Sequence, residues 1–367
     1  MLRTLFAHTD DVAANVRIRP LLEELSSSGR IRYASVDRNM AVTGARSDKY
    51  DVLLTHRNPS RRQHKWLKAR SIRFVYDIDD LLLADDVRGV RRAAEQSSIQ
   101  WCLENADAVT APSRRLLAML DRKLPNGLGA RAIHLPNAGL ERPPPTKAKS
   151  KPRFLWASSA QPMDAGDLDA VCLGINDAVQ ALNTDIVMIG RFPQRLLDFF
   201  PSRQVMEWLE PSAYLELLAS GPFIAVAPLS LTLPAAQQMF ADCKSDIKIA
   251  QYGASRIAGA YSAALPFTES DLPCHIVPNT RADWAEALRM LANDFPDQGN
   301  RLADHPAFAL RRPAVLAAQL HEVLKRIAEV TEPFSFWAIS TPNLARTVEH
   351  RVRMWRSRFR RSRLLTR

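Results

Sequence analysis

The chain has 367 residues, 46% hydrophobic and 24% charged, with a net charge of +11. That length exceeds one ordinary core and predicts two domains plus an appendage, and no apolar run approaches the ~18 residues of a membrane span. Four cysteines, Cys102, Cys172, Cys243 and Cys274, stand far apart without a Cys-x-x-Cys, so neither a zinc site nor a disulfide framework is indicated and small buried hydrophobes are expected.

The N-terminus, Met-Leu-Arg-Thr-Leu-Phe-Ala-His, reads as a strand rather than a signal peptide, so a cytosolic protein is expected. Apolar β-like runs then alternate with helical patterns at βαβ spacing: strands at Leu2–Phe6, Ile31–Val36, Asp51–Thr55, Ile72–Tyr76, Ala108–Ala111 and Ala132–Leu135. Helices are predicted at Ala13–Ser26, at Val90–Glu104 and at Arg114–Leu120, the last with Ser113 as N-cap. The stretch Glu141–Pro152, rich in proline and lysine with nothing to bury, separates an N-terminal domain (1–140) from a C-terminal one (153–330). The C-terminal domain repeats the rhythm, with strands at Arg153–Ser158, Asp185–Ile189, Gln204–Trp208, Phe223–Pro228, Ile257–Ser262 and His275–Val277. Helices Ala282–Asn293 and Pro313–Ala328 are expected to close that domain. The expected fold is therefore α/β: two Rossmann-like, doubly wound domains facing a cleft.

Such sheets bind ligands at the carboxyl ends of their strands. Three segments of the second half fall there: Ser158-Ser159-Ala160-Gln161, Gly190-Arg191, and Cys243-Lys-Ser-Asp-Ile-Lys248-Ile-Ala-Gln251. The last puts Lys244 and Lys248 four residues apart at the expected start of a short helix, where one helical face and a helix N-terminus would converge on a diphosphate. Neither a Gly-x-Gly-x-x-Gly after the first strand nor a P-loop is present, which argues against an NAD enzyme or a P-loop ATPase. In the first half, Tyr76-Asp77-Ile78-Asp79-Asp80 has the spacing of a carboxylate clamp for Mg²⁺ or Mn²⁺. Acid/base work, acceptor-hydroxyl binding and helix capping are the other readings, and no metal is assigned. His8, Asp10, Arg17, His56 and Arg57 come after strand ends of the same half and are further candidates to line the cleft.

Several segments in order carry a resemblance: Val75–Asp80, Ala106-Asp-Ala-Val-Thr-Ala-Pro-Ser113, Leu135-Pro-Asn137, Ala227-Pro-Leu229, and Lys244–Lys248 through Tyr252-Gly-Ala254 and Ser262. Across residues 1–330 the chain resembles bacterial glycosyltransferases of the two-domain GT-B fold, related to the retaining family-four group. The resemblance implies a nucleotide-sugar donor on the second domain, an acceptor on the first, no cofactor, and cations in place of a metal on the departing diphosphate. It carries Lys248 and Arg191 onto those cation positions, with Lys244 as helper. Ser245, Gln251 and Ser159 join the donor set, and Asp77, Asp79 and Asp80 orient the acceptor hydroxyl. Where the family often has a glutamate this chain has Gln251, and eight residues earlier Cys243 replaces a second acid, which leaves a non-catalytic assembly module as the alternative function.

Residues 331–367 differ from all before them. Nine arginines face Glu332 and Glu349, a net +7. Leu344, Val348, Val352, Trp355 and Phe359 recur at helical intervals, a basic amphipathic pattern. Three readings apply: contact of residues 345–367 with an anionic membrane surface, as suits an enzyme with a glycan or lipid-linked acceptor; packing on the first domain; and nucleic-acid binding, the least favoured. The sequence thus predicts a cytoplasmic enzyme, peripheral at the inner face of the membrane.

Overall fold

The fold comes from a computed structural model, which describes residues 1–9, 11–47, 49–69, 72–83, 93–140, 151–158, 166–295, 297–330 and 332–336. The expected linker core (141–150), Asp10, Ser159 and the basic tail lie outside them.

Two sheets form. The first holds β1 (Leu2–Ala7), β2 (Ile31–Val36), β3 (Val42–Gly44), β4 (Val52–His56), β5 (Phe74–Asp77), β6 (Ala108–Ala111) and β7 (Ala132–His134) in the order β3-β2-β1-β4-β5-β6-β7. All its pairings are parallel except β2 with β3, a short edge strand that the sequence reading missed because three residues carry too little alternation. The second holds β8 (Arg153–Ser158), β9 (Ile186–Gly190), β10 (Arg203–Met206), β11 (Phe223–Ala227), β12 (Gly259–Ser262) and β13 (His275–Val277), ordered β10-β9-β8-β11-β12-β13 and parallel throughout. In each, the strand order reverses beside the first strand, the doubly wound pattern that opens a crevice at the carboxyl ends. Central strands such as β4, β9 and β11 are buried along their whole length, because helices cover both faces.

Two helix expectations need correction. The segment Ala13–Ser26 is two helices, Asp11–Arg17 and Arg19–Ser27, with Ile18 buried between them and Pro20 at the start of the second, where a missing N–H costs nothing. The helix Pro313–Ala328 does not close the second domain. Its stripe of Leu316, Leu320, Val323, Leu324 and Ile327 packs against Phe6, Ile18, Leu21 and Leu22 of the first. Beyond it, Tyr50 and Phe334 exchange backbone hydrogen bonds at 2.7 and 2.9 Å, and Phe334 and Phe336 set their rings against Trp66. The chain therefore crosses back after the second sheet. Periodicity marks an apolar stripe on this helix, but it carries no information about which core the helix joins.

Cys102, Cys172 and Cys243 are buried and Cys274 partly so, all free. Ser113 caps its helix by accepting from the Leu116 N–H at 3.2 Å.

Candidate active site

The carboxyl ends of both sheets meet at one cavity of about 380 Å³. From the first domain come Val12, Ala13, Val16 and Arg17 after β1, Arg57 after β4, Asp79 and Asp80 after β5, and Asn137 after β7. From the second come Ala157 and Ser158 at the end of β8, Ile189 on β9, Trp208, Leu209, Pro211 and Tyr214 after β10, Leu229 after β11, and Lys244, Ser245, Ile247, Lys248 and Gln251 ahead of β12.

The lysine segment is built differently from the sequence expectation. The helix starts at Ile247, so Lys248 is on it, but Lys244 lies in the turn after the preceding helix, Ala235–Asp242, and the two share no helical face. The backbone explains why: the Cys243 and Lys244 amides bond back to Met239 and Ala241, finishing the earlier helix, before a new one begins. Both lysines still line the cavity. The Lys244 ammonium sits 5.0 Å from the Phe240 ring centroid. Lys248 Nζ donates to the Ala157 carbonyl at 2.5 Å. Burial, with the charge of Lys244 adding to it, pushes Lys248 down to about 7. Gln251, one turn on, is buried against the same wall.

Arg191 is not brought to the cavity. It is exposed and does not line the wall, since Gly190 turns the chain at φ +111° and Phe192 inserts its ring against Trp156 at 5.1 Å, sending Arg191 outward. Gly190 is required there: a Cβ would stand 2.1 Å from the Ser158 carbonyl oxygen.

In the first domain the three aspartates divide. Asp77 is 0% exposed and does not line the cavity; its carboxylate is fully engaged. Arg17 grips it with two hydrogen bonds of 2.8 and 2.7 Å, Thr110 donates at 2.6 Å, and His56 Nδ1 approaches to 2.8 Å, which fixes a proton on that nitrogen. Burial alone would raise this carboxyl, but the charge of Arg17 and the bonds from His56 and Arg17 outweigh it and hold Asp77 well below the usual carboxylate range. Asp77 is therefore a buried anchor that presents Arg17, correcting its place among the groups facing an acceptor. Asp79 and Asp80 do line the cavity, each 3.1 Å from the guanidinium of Arg57, whose own backbone is left-handed at φ +56°. Asp79 is raised, chiefly by burial and also by Asp80, with Arg57 opposing. Among the described residues no group of three or more His, Cys, Asp or Glu is placed to hold a metal. His8 is buried at the end of β1, stacked on Phe6 with its Nε2 3.2 Å from Arg19, and is not a wall residue.

The sequence reading missed what joins the halves. Arg17 Nη1 donates to the Leu135 carbonyl at 3.0 Å and to Asn137 Oδ1 at 3.1 Å, and Asn137 Nδ2 donates to Ser245 Oγ at 2.8 Å. Buried Arg311 binds Asp246 at 2.7 Å and reaches the Asn137 carbonyl at 3.3 Å. These partners are far apart in sequence and leave no local pattern. Trp208, half exposed on the wall, stood at a predicted strand end, and that position alone marked it.

No family model matches the sequence, and no curated protein matches it either. Solved structures do. The chain is similar to a glycosyltransferase from Rickettsia africae at 12% identity and TM-score 0.56, over 89% of this chain and 98% of that one. It is similar to Anabaena HepE in complex with UDP and glucose at 10% and 0.53, over 89% and 100%. It is also similar to a UDP-GlcNAc 2-epimerase from Methanocaldococcus jannaschii at 10% and 0.51, over 89% and 100%. At such identities the likeness is one of architecture: two Rossmann-like domains around a cleft, the GT-B-like fold.

Proposed function

We propose that the protein is a glycosyltransferase that moves a sugar from a nucleotide-sugar donor to a hydroxyl of a bacterial glycan or lipid-linked glycan at the cytoplasmic membrane surface. The reading extends to retention of configuration, kinship with the family-four group and independence of metal. One observation carries it: a single interdomain cavity has Lys244 and Lys248 on its second-domain wall and Asp79 and Asp80 on its first-domain wall. That division suits the reaction. The bond between the anomeric carbon and the diphosphate oxygen breaks, a bond to the acceptor oxygen forms, and the hydroxyl proton passes to a carboxylate or to the departing diphosphate. Lysines offset the charge on the leaving group. Asp79, raised by burial, is the better proton acceptor, Asp80 orients the hydroxyl, and Gln251 binds a donor hydroxyl through its amide. The half-exposed Trp208 offers a face on which a base can stack.

A thermal-shift panel of UDP-, GDP-, dTDP- and ADP-sugars at millimolar concentration tests the reading. One of them should raise Tm by a few degrees, and Lys248→Ala should abolish the shift; no response to any would overturn the donor site. A second reading, epimerisation of a nucleotide sugar, is favoured by the 2-epimerase structures, which match at a TM-score comparable with the glycosyltransferases. Isomerised nucleotide sugar formed without any acceptor would select it. Binding without either turnover would make the chain an assembly module, the outcome to which Gln251 points.

A further inference from the structure

Ser245 and Ile247 line the main cavity, but Asp246 between them does not. It faces a second, smaller cavity of about 220 Å³ behind the lysine segment, which it shares with Arg311 and His134. Asp246 stands at the N-cap position of the helix Ile247–Ala254, where an aspartate ordinarily accepts from the first-turn amides, yet its side chain makes no capping bond. Its oxygens are taken elsewhere. Arg311 donates to Oδ2 at 2.7 Å and to Oδ1 at 3.3 Å, and Ser270 donates to Oδ2 at 2.6 Å. Both partners of the ion pair are buried, at 5% and 6% exposure, and the Arg311 carbonyl is itself held by the Gly139 amide at 3.0 Å. As a result, no carboxylate from the second domain stands on the main cavity wall among the described residues, while Lys244 and Lys248 do.

We infer that Arg311 is a positioning residue for anion binding: it draws Asp246 out of the main cavity and so keeps the wall that receives the donor diphosphate free of a competing negative charge. The inference rests on the proposed nucleotide-sugar reading of that cavity. Released from Arg311, Asp246 would swing to the helix N-terminus, the place its residue type prefers, and there it would occupy the first-turn amides and repel a phosphate beside Lys248. Arg311 comes from the crossing back to the first domain, so the same contact ties donor affinity to the correct joining of the two halves.

The test is calorimetric titration of the full chain with inorganic pyrophosphate and with uridine, a charged and an uncharged probe. Arg311→Gln should weaken pyrophosphate about tenfold, the scale of one added like charge at a partly buried site, and leave uridine within about twofold. Asp246→Asn in the Arg311→Gln background should restore pyrophosphate to near the wild-type value. Equal weakening of both probes, or no rescue by Asp246→Asn, would mean that the pair only supports the fold and would overturn the inference. If Arg311→Gln does not fold, Arg311→Lys keeps the charge while giving up the two-pronged grip. It should weaken pyrophosphate about threefold with the same rescue, and an unchanged value would sink the idea. Wild-type protein that binds neither pyrophosphate nor any nucleoside diphosphate would overturn this inference together with the functional reading. Wild-type binding that survives Arg311→Gln unaltered would overturn this inference alone.

Discussion

At the scale of single residues, the site is set by how burial treats two kinds of charge. Lys248 has one close oxygen, the Ala157 carbonyl, and no carboxylate beside it among the described residues, so burial and Lys244 together bring it down to about 7. A lysine poised there is a charge that an incoming diphosphate can restore. Diphosphate affinity should therefore fall as pH rises from about 6 to 8, as Lys248 loses its proton before the ligand arrives; isothermal titration in buffers of differing ionisation enthalpy would also register proton uptake on binding near pH 7.5. The sign for stability is the reverse. Because the folded-state value lies below the unfolded one, the unfolded chain holds the extra proton between about pH 7 and 10, and this residue's contribution to stability rises with pH across that window. Lys248→Met should flatten that rise in Tm and remove the pH dependence of binding with it. An affinity independent of pH would show that Lys248 does not meet the ligand. Asp77 is the opposite case, a buried carboxylate so well supplied with donors that burial cannot neutralise it, and its role is to hold Arg17 still.

At the scale of elements, most strands were legible because parallel strands covered on both faces are unbroken apolar runs bounded by turns, as Phe223–Ala227 shows. The lysine segment was legible as a place, after β11 and before β12, but not as a geometry, because a one-turn break between two short helices leaves no mark in periodicity. Arg191 shows the same limit: its position after a strand was right, and the direction of its side chain depends on where Phe192 finds a core. The helix Pro313–Ala328 makes the general point. Its buried Leu316, Leu320 and Leu324 were plain in the sequence, while its docking on the helix Arg19–Ser27 depends on a chain path that only tertiary structure supplies. This packing has a measurable consequence. Leu320→Ala should destabilise the protein by about 2–5 kcal/mol in urea unfolding, the cost of a cavity in a core. The loss should be felt in the first domain: limited proteolysis should open the segment around residues 19–27 before the second sheet. Early cleavage in the second domain instead would contradict the crossing.

At the scale of the whole molecule, the crossing back to the first domain matters for the tail. The chain leaves its described part at Phe334 and Phe336, seated on Trp66 of the first domain. The arginine-rich segment beyond them is therefore tethered to the domain proposed to receive the acceptor. No helix among the described residues is long and apolar enough to cross a membrane. Residues 345–367 have the composition for contact with a membrane surface, with nine arginines beside Trp355 and Phe359. Each basic residue near an anionic bilayer contributes about 1 kcal/mol, reduced by salt, and the two aromatic side chains add apolar burial in the headgroup layer. Such a tether would raise the local concentration of a lipid-linked acceptor without touching the donor cavity. Deleting residues 345–367 should release the protein from liposomes containing phosphatidylglycerol, while the nucleotide-sugar thermal shift and the Tm stay as in the full chain. Full-length protein should itself come off as salt rises towards about 0.5 M, where charges are screened within a few ångströms. Equal sedimentation of both forms would remove the membrane role. Retention of the full chain on duplex DNA with a steep salt dependence, and none on liposomes, would return the tail to nucleic acid, since the same arginines satisfy phosphate wherever it is carried.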